Sequence, residues 1–510
     1  MKPEHPDITI ALEHKYDPEQ RLVQLTGTQA LLRMLVERQR ADACAGWNTA
    51  AFVSGYPGSP LGGFDSLLTR ERLVLERANI VFTPGLNEEL AATAVMGSQI
   101  ANDFTDRRVE GVAGLWFGKT PGLDRALDAL KHANSVGTGV LGGALAVVGD
   151  DPGCKSSTIP NTSEYSFRAA QMPILVPADV AELVTFGLAG FALSRETGLW
   201  VGLKLVTDIA DGGALVTLPD NYDFVSPRAA GNLSTRAIRR CFPPDSFDTE
   251  CDIVQTRLPA AQDFVRHHGL DRITRGTEKE RIGLIAAGKT FNDVRFALSK
   301  FAADGRAVAS TRLLKLGLIW PLDPVTLREF AQGLDLIFVI EEKHPFIEEQ
   351  IRSILYNLPE RPRVFGKFDE HGAVLFNAHG DLDADAITKR LARLLTDEAA
   401  APIAQRTPTQ LLVKREAWFC SGCPHSRSTQ VPDDATVGGG IGCHTLALFM
   451  DRKVNFISQM GGEGAAWIGI SPFVKRPHIF QNIGDGTFFH SGSLAVRAAI
   501  ASGANVTFKF

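Results

Sequence analysis

Three cysteines in the second half of the chain have the spacing of metal ligands. Cys420 and Cys423 are separated by two residues, and Cys443 follows twenty residues later. Thiolates at this spacing suit an iron–sulfur cluster that takes a fourth cysteine from elsewhere. They also suit a tetrahedral zinc ion with His425 or His444 as its fourth ligand. A third interpretation, a pair of buried small apolar side chains, stays open as well.

A Gly-Asp-Gly motif offers chemistry of a different kind. Asp485 lies between Gly484 and Gly486, directly after the apolar run 479–483. An aspartate at the carboxyl end of a strand presents hard oxygen atoms to a Mg²⁺ ion that is held on a diphosphate. The flanking glycines would let backbone N–H groups approach the phosphates. Because most isolated Gly-Asp-Gly sequences are ordinary turns, this motif alone does not establish a site.

A loop rich in glycine and proline lies near the start of the chain. It spans 55–60, follows the apolar run 50–53, and contains Tyr56, Pro57 and Ser59. The pattern predicts a strand followed by a turn in which glycine and proline supply the unusual dihedral angles. Taken alone, this loop is interpreted as a structural turn.

Acidic residues open a helix that is predicted after the next short apolar run. Glu88 and Glu89 follow Asn87 at this strand-to-helix junction. A carboxylate in the first turn is commonly only a stabilising feature of a helix N-terminus. Polar loops also follow two further apolar runs, at 118–119 and 150–153, and each is interpreted as structural when taken singly.

The elements that must position these residues alternate between strands and helices. The apolar runs 111–117 and 142–148 are flanked by glycines, which is typical of strands buried on both faces. Each is followed by a loop and a helical segment. The alternation predicts an α/β fold built on doubly wound parallel sheets.

The pattern divides the chain into three α/β domains. The first domain is expected at 1–235, and a charged segment at 236–280 that loses the alternation is expected to be a linker. A smaller α/β domain is expected at 281–398, followed by a second linker at 399–411 that is rich in Pro, Thr and Gln. The start of a third α/β domain is expected at 412–510, and this domain is expected to be incomplete.

Composition excludes several classes of protein. The 510 residues are 44% hydrophobic and 22% charged, and the net charge of −5 gives no electrostatic reason to expect a nucleic-acid partner. The first residues lack the apolar core of a signal peptide, and the most apolar stretch, 138–148, is too short to span a membrane. Seven sparse cysteines argue against a disulfide framework. We therefore expect a cytoplasmic protein without a membrane partner.

In this order along one chain, the motifs resemble those of the thiamine-diphosphate-dependent 2-oxoacid:ferredoxin oxidoreductases. The resemblance to the pyrimidine-binding and then the diphosphate-binding domain of that family is carried by residues 56–60, 87–89, 150–157, 418–425, 440–443 and 484–492. The Cys-Pro-His sequence and the presence of both domains on one chain resemble the indolepyruvate branch, particularly its long single-chain form. The middle domain resembles the C-terminal unit of transketolase.

The resemblance implies a role for each residue of the second half's Gly-Asp-Gly motif. It implies that Asp485 binds Mg²⁺ and that Gly484, Gly486 and Thr487 hold the diphosphate of thiamine diphosphate.

The resemblance also implies that Glu88 hydrogen-bonds the aminopyrimidine ring. A proton shared between that carboxylate and the ring favours the tautomer that can activate the thiazolium carbon.

Two further groups of residues receive roles from the same resemblance. Tyr56, Pro57 and Ser59 resemble the loop that receives the carboxylate of the 2-oxoacid. The three cysteines resemble ligands of a [4Fe–4S] cluster, with the fourth ligand not visible. The implied reaction is oxidative decarboxylation of an aryl 2-oxoacid such as indolepyruvate to its acyl-CoA, with coenzyme A and ferredoxin as partners and a homodimer as the assembly.

The sequence departs from the family pattern in its last residues. Phe510 comes before the asparagine-containing segment that completes the family's thiamine motif, and Asn505 comes too early to replace it. The Mg²⁺ site and the cluster are therefore expected to be incomplete in this chain, and either further sequence or a partner would complete them. Two alternatives stay open: a thiamine-dependent decarboxylase that releases an aldehyde, and a catalytically incomplete fragment or regulatory subunit with a structural zinc ion.

Overall fold

The computed structural model describes residues 11–220, 222, 245–305, 308–395 and 417–510. Contacts divide the chain into two compact units, Met1–Ile403 and Ala404–Phe510. Within the described residues, the first unit contains three sheets and the second contains one. The linker predicted at 399–411 lies outside the described residues, as does the first part of the linker predicted at 236–280.

The strands of the first unit are short to medium in length and mostly buried. In chain order they are β1 Leu22–Thr26, β2 Thr49–Gly55, β3 Ile80–Phe82, β4 Gly111–Lys119, β5 Ala144–Asp150, β6 Ile174–Leu175, β7 Trp200–Val206, β8 Gly213–Thr217, β9 Arg272–Arg275, β10 Ile282–Ala287, β11 Thr311–Leu316, β12 Leu318–Trp320, β13 Leu336–Ile340 and β14 Arg363–Phe365.

Helices of the first unit connect these strands, and short 3₁₀ turns at Leu12–Tyr16 and Ala101–Asp103 accompany them. In chain order the helices are α1 Gly27–Cys44, α2 Gly62–Arg70, α3 Arg72–Arg77, α4 Glu88–Ile100, α5 Thr120–Val136, α6 Glu164–Ala169, α7 Val180–Thr197, α8 Thr207–Ala210, α9 Asp245–Asp252, α10 Leu258–His267, α11 Gly288–Ala303, α12 Pro324–Ala331, α13 Phe346–Leu355 and α14 Ala384–Leu395.

The main sheet of the first unit has seven strands in the order β12-β6-β7-β5-β4-β2-β3. All neighbours are parallel except β12, which runs antiparallel to β6. The chain passes from β2 outward to β3 and then returns to β4 on the other side of β2. This reversal makes a switch point between β2 and β4, which is where doubly wound sheets form a crevice for ligands. The predicted doubly wound α/β class is confirmed.

Alternation along β4 shows how the sheet is buried on both faces. Leu115 and Phe117 point into the core that includes helices α1 and α7, whereas Trp116 between them points into a second core. All three side chains are fully buried. A strand that is buried on both faces has a continuous apolar sequence instead of an alternating one. The sequence of β4 shows this continuous pattern.

A second sheet in the first unit has the order β14-β13-β10-β11-β9, with β9 antiparallel to β11 and the other neighbours parallel. The chain then leaves β11 and enters the main sheet as β12. Asp271 supports this passage, because its carboxylate accepts hydrogen bonds from the backbone N–H groups of Gly317, at 2.7 Å, and Leu318, at 3.0 Å. This shared chain path joins the second sheet to the first in one unit.

The segment predicted as a linker contains regular structure over its described part. Helices α9 and α10 are joined by a π-helical turn at Ile253–Arg257, and β9 completes the second sheet. Ala261, Phe264 and Val265 are buried in the main core. Because the segment is highly charged, its sequence did not indicate that helix α10 has one apolar face that packs against the core. The remaining domain boundaries stay predictions.

The second unit is a four-stranded parallel sheet in the order β16-β15-β17-β18. Its elements are the strands β15 Val437–Gly438, β16 Val454–Phe456, β17 Ile479–Asn482 and β18 Val506–Lys509, the helices α15 His425–Ser428, α16 Ala465–Ile470, α17 Asp485–Thr487 and α18 Ser493–Ser502, 3₁₀ turns at Gly442–Phe449 and Ser471–Phe473, and a π-helical turn at Phe488–Gly492. The chain reverses direction between β15 and β17, so a second switch point lies there. Among the described residues of both units, we find no helix with the length and apolar character needed to cross a membrane.

Candidate active site

The carboxyl ends of β2, β4 and β5 bring three polar loops together in the first unit. The backbone N–H of Tyr56 donates to the Phe117 carbonyl at 3.1 Å, which ties the loop after β2 to the end of β4. The backbone N–H of Gly85 donates to the Gly55 carbonyl at 3.0 Å and holds the segment before α4 at the same edge. Pro60 and Leu61 pack against Gly149 near the end of β5, where a side chain on that glycine would meet Pro60 at 2.8 Å. We call the space between these loops the crevice.

Glu88 enters the crevice from the N-terminus of α4. The Asn87 side chain caps this helix by accepting a hydrogen bond from the Leu90 N–H at 2.9 Å. The backbone carbonyl of Glu88 accepts from the indole N–H of Trp116 at 2.9 Å, which fixes the helix against β4. The Glu88 side chain is only 7% exposed and lies over Gly122, where an added Cβ would stand 2.8 Å from its Oε1. Any larger residue at position 122 would therefore displace the Glu88 carboxylate.

Glu89 lies on a different side of the same helix turn. Its Oε1 accepts from the Asn87 side-chain amide at 3.2 Å, and its Oε2 lies 3.8 Å from Nε of Arg125. Its side chain is 42% exposed. Because adjacent helix residues project about 100° apart, only one of the two glutamates can face the crevice. The packing over Gly122 assigns that place to Glu88.

Lys119 is a candidate site residue that the sequence analysis interpreted as structural. It ends β4, and its side chain runs along Gly58, so that a Cβ on that glycine would lie 2.7 Å from the Lys119 Cδ. Its ammonium group donates to the Ser156 carbonyl at 3.2 Å. Burial lowers the pKa of Lys119, while the nearby Asp151 and Glu88 act in the opposite direction. The only sequence signal was a lysine placed directly after a strand that is buried on both faces.

The two aspartates of the loop after β5 hold the crevice in shape. Asp150 is buried 3.2 Å from the Lys204 ammonium and also binds the hydroxyl groups of Thr120 and Ser163. Because Thr120 is the first residue of α5, this contact fixes the end of β4. The bond to Ser163 anchors the far end of the loop.

Asp151 folds the loop itself. Its carboxylate accepts from the backbone N–H groups of Lys155, at 3.0 Å, and Ser156, at 2.7 Å. Burial acts to raise the pKa of Asp151, but these donors outweigh burial and hold the pKa below its ordinary value. The carboxylate is therefore ionised at neutral pH and holds Ser156 where its carbonyl meets Lys119.

In the second unit, two glycine-rich loops meet at the switch point. The loop after β15 contains Gly440, where an added Cβ would lie 2.7 Å from the Asn482 carbonyl at the end of β17. The loop after β17 contains Gly484. A Cβ added there would lie 3.9 Å from the nearest atom, which belongs to the ring of His444. Among the described residues, no atom lies within 4 Å of an added Cβ at Gly486. The strand side of this site is tightly packed, while the Gly-Asp-Gly loop is open to an incoming group.

Asp485 and Thr487 begin a helical segment that runs on through α18. Asp485 is exposed and Thr487 is buried. Backbone N–H groups at the start of such a segment are available to an anion, because they have no partner within the helix. The predicted diphosphate residues are thus brought together at the open side of the switch point.

Buried polar atoms beside these loops have no partner among the described residues. His444 is 2% exposed, and neither of its ring nitrogens forms a hydrogen bond there. The side-chain amide of Asn482 is fully buried and equally unpaired. Burial, with His425 and Lys509 nearby, lowers the pKa of His444 to about 4, so its ring is neutral. Buried polar groups normally form hydrogen bonds. A group that binds here could therefore form hydrogen bonds with these side chains.

The cysteine motif lies next to the same loops, but its thiols are not gathered. The Cys423 Sγ lies 3.0 Å from Nδ1 of His425, whose ring meets that of His444 edge-on with centroids 4.5 Å apart. Cys420 and Cys443 are both exposed. In the part of the chain that the structure describes, no three His, Cys, Asp or Glu side chains form a group able to hold a metal ion. The three-cysteine ligand set stays a prediction.

Comparison with known proteins shows which family the chain resembles. The Indolepyruvate oxidoreductase domain matches residues 272–414, which include the second sheet of the first unit. The indolepyruvate oxidoreductase subunit IorA of Methanothermobacter thermautotrophicus is 24% identical over 485 residues, covering 92% of this chain and 71% of that subunit. The chain is similar to proteins of the indolepyruvate oxidoreductase family. The corresponding subunit of Pyrococcus abyssi is 24% identical over 519 residues and covers 96% of this chain and 74% of its own length.

The fold of this chain is also found in a solved structure. The 2-oxoglutarate:ferredoxin oxidoreductase of Magnetococcus marinus matches with a TM-score of 0.52 at 13% identity, over 73% of this chain and 65% of its own. That likeness concerns the fold. The relatives named above support an enzyme of the oxidoreductase class.

Proposed function

We propose that this oxidoreductase uses thiamine diphosphate to decarboxylate and oxidise an aryl 2-oxoacid of the indolepyruvate type. The observation that carries the proposal is the position of Glu88, a carboxylate more than nine-tenths buried at the switch point of the main sheet. The relatives are named for indolepyruvate, and the Magnetococcus marinus enzyme was solved with 2-oxoglutarate, coenzyme A and succinyl-CoA. These names support a 2-oxoacid as substrate and coenzyme A as the acyl acceptor.

Thiamine diphosphate, when bound, supplies a carbon nucleophile and an electron sink. The task of Glu88 is to hold a proton between its Oε1 or Oε2 and a nitrogen of the aminopyrimidine ring. Its surroundings suit this task, because Gly122 leaves room for the carboxylate and the capped start of α4 fixes the backbone beneath it. Tyr56, Pro57 and Ser59 line the same crevice and are proposed to receive the oxoacid.

The second unit is proposed to hold the diphosphate. Gly484, Asp485, Gly486 and Thr487 form the open loop at the start of the helical segment, and Asp485 offers a hard oxygen ligand for Mg²⁺. One carboxylate from the protein can be enough for such a site, because Mg²⁺ also takes phosphate and water oxygens as ligands. The unpaired polar atoms of His444 fit hydrogen bonding to the bound group.

Replacing the proposed magnesium ligand is expected to weaken cofactor binding. In Asp485→Asn the charged oxygen ligand is lost, so the Mg²⁺-dependent affinity for thiamine diphosphate should fall at least about tenfold. Calorimetric titration with the cofactor measures this change. Asp451→Asn, which alters an exposed aspartate before β16, is the matched control and should bind normally. Equal affinity in both variants would reject the assignment of Asp485.

Electron transfer is proposed to use a [4Fe–4S] cluster on Cys420, Cys423 and Cys443, with ferredoxin as the acceptor. The support is the spacing of the cysteines and the family. The thiols of the described residues are not assembled around a common point. A homodimer and a cytoplasmic location are proposed on the same family grounds.

Metal analysis distinguishes the cluster from its alternative. We expect anaerobically purified protein to be brown, with broad visible absorption that Cys420→Ser removes, because a hydroxyl is a poor substitute for a thiolate on iron. Cys44→Ser, at an exposed cysteine at the end of α1, should keep the colour. Stoichiometric zinc without iron would instead favour the alternative of a regulatory subunit with a structural zinc site. The contact of Cys423 with His425, beside His444, is the observation that supports that alternative.

A further inference from the structure

The ammonium group of Lys119 forms fewer hydrogen bonds with the described residues than it has donors. Its ammonium group has three donors, and within the described part of the chain it donates one hydrogen bond, to the Ser156 carbonyl. No carboxylate of the described residues lies within ion-pair distance of it. The neighbouring Asp151 already accepts from two backbone N–H groups and the Ser156 hydroxyl.

Other cations around the crevice differ from Lys119 in this respect. Lys155 pairs with Asp381 at 3.7 Å, and Arg125 lies 3.8 Å from Glu89. Lys204, beneath the crevice, is buried against two carboxylates. Each of these charges is matched by a protein anion, whereas the half-buried Lys119 is not. An ammonium group that has lost part of its hydration is stabilised by an anion that arrives with a ligand.

The position of Lys119 identifies where that anion would bind. Its stem lies along Gly58, in the middle of the loop that contains Tyr56 and Ser59, and its ammonium group extends past that loop to the Ser156 carbonyl. The Glu88 carboxylate packs over Gly122, which lies in the first turn of α5 directly after Lys119, so both side chains lie at the same edge of the sheet. The cation thus lies beside the loop that is proposed to receive the oxoacid.

We propose that Lys119 binds the carboxylate of the 2-oxoacid substrate and thereby selects oxoacids over uncharged carbonyl compounds. This inference rests on the proposed function, since it assumes that the crevice accepts a 2-oxoacid. A charge-assisted hydrogen bond from the ammonium group orients the carboxylate beside the carbonyl carbon that reacts. The contact exists in the bound substrate before any bond breaks, so its loss acts mainly on substrate binding.

The test compares Lys119→Met with Lys119→Arg and with Lys155→Met in the holoenzyme. Lys155→Met removes the same charge from a nearby loop position that faces Asp381 instead of the crevice. We expect Lys119→Met to raise KM for indolepyruvate about thirtyfold or more, with kcat changed by less than about threefold. Lys119→Arg should retain most of the binding, because it retains the charge. Lys155→Met should have the KM of the unmodified enzyme.

A second measurement uses ligands that cannot react. Calorimetry with indole-3-lactate, which has the carboxylate, and with tryptophol, which lacks it, should show a loss of affinity in Lys119→Met for the first compound alone. Unchanged KM and unchanged indole-3-lactate affinity in Lys119→Met would overturn the inference about Lys119. Loss of hydrogen–deuterium exchange at the thiazolium carbon in this variant would also overturn it, because Lys119 would then act on the cofactor. If the unmodified enzyme neither exchanges that proton nor binds indole-3-lactate, both the proposed function and the inference are contradicted.

Discussion

Glu88→Gln should reduce turnover of the 2-oxoacid by about a hundredfold or more, in the range that follows the loss of acid–base assistance. The amide has nearly the same shape as the carboxylate, so it fits over Gly122 and leaves the helix start intact. It cannot share a proton with the aminopyrimidine ring in the same way. Hydrogen–deuterium exchange at the thiazolium carbon, measured without any oxoacid, should slow in parallel, while KM stays similar.

Glu89→Gln is the matched control for this prediction. Glu89 lies one residue further along the same helix turn, where it contacts Asn87 and Arg125 at the protein surface. The exchange rate in this variant should therefore remain that of the unmodified enzyme. If Glu89→Gln stops the exchange and Glu88→Gln does not, the assignment is wrong by one residue. If neither change affects the exchange, the crevice does not activate thiamine.

Lys204→Met should destabilise the first unit by about 3–5 kcal/mol, the effect expected when one partner of a buried ion pair is removed. Lys204 lies 3.2 Å from Asp150 and also pairs with Glu164. Burial acts to lower the pKa of Lys204, but Glu164 and Asp150 outweigh it and raise the pKa. Methionine fills a similar volume, so the loss would come from two buried carboxylates left without a counter-charge.

The comparison for this second prediction is Lys131→Met on helix α5. Lys131 is exposed, and its replacement should change the free energy of unfolding by less than about 0.5 kcal/mol. Urea unfolding followed by tryptophan fluorescence measures both variants. Equal midpoints for the two would show that the Asp150–Lys204–Glu164 network does not stabilise the end of β5. Because Asp150 also holds Thr120, the same variant should reduce activity through Lys119.

Much of the candidate site could be predicted because parallel strands place their following loops at one edge of a sheet. Tyr56, Glu88 and Asp485 each follow an apolar run, and the structure places each at a switch point. The choice between Glu88 and its neighbour could not be made from the sequence. It depends on which side chain packs over Gly122, a contact between residues far apart in the chain.

Other features depend on long-range packing that leaves no local pattern. Strand β12 belongs by sequence to the middle domain, yet it pairs with β6 of the main sheet. Lys119 resembles any polar residue at the end of a strand until Gly58 and Ser156 are placed around it. Helix α10 was predicted as part of a linker, because the alternation of strands and helices is lost in that segment, yet the helix buries Ala261, Phe264 and Val265.

Anaerobic incubation of the holoenzyme with indolepyruvate, coenzyme A and a one-electron dye tests the central claim most directly. The proposed function predicts release of carbon dioxide and reduction of the dye, two electrons for each carbon dioxide, both dependent on added thiamine diphosphate and Mg²⁺. Carbon dioxide with an aldehyde product and no dye reduction would indicate the non-oxidative decarboxylase instead. Absence of carbon dioxide release with thiamine diphosphate present would contradict the account.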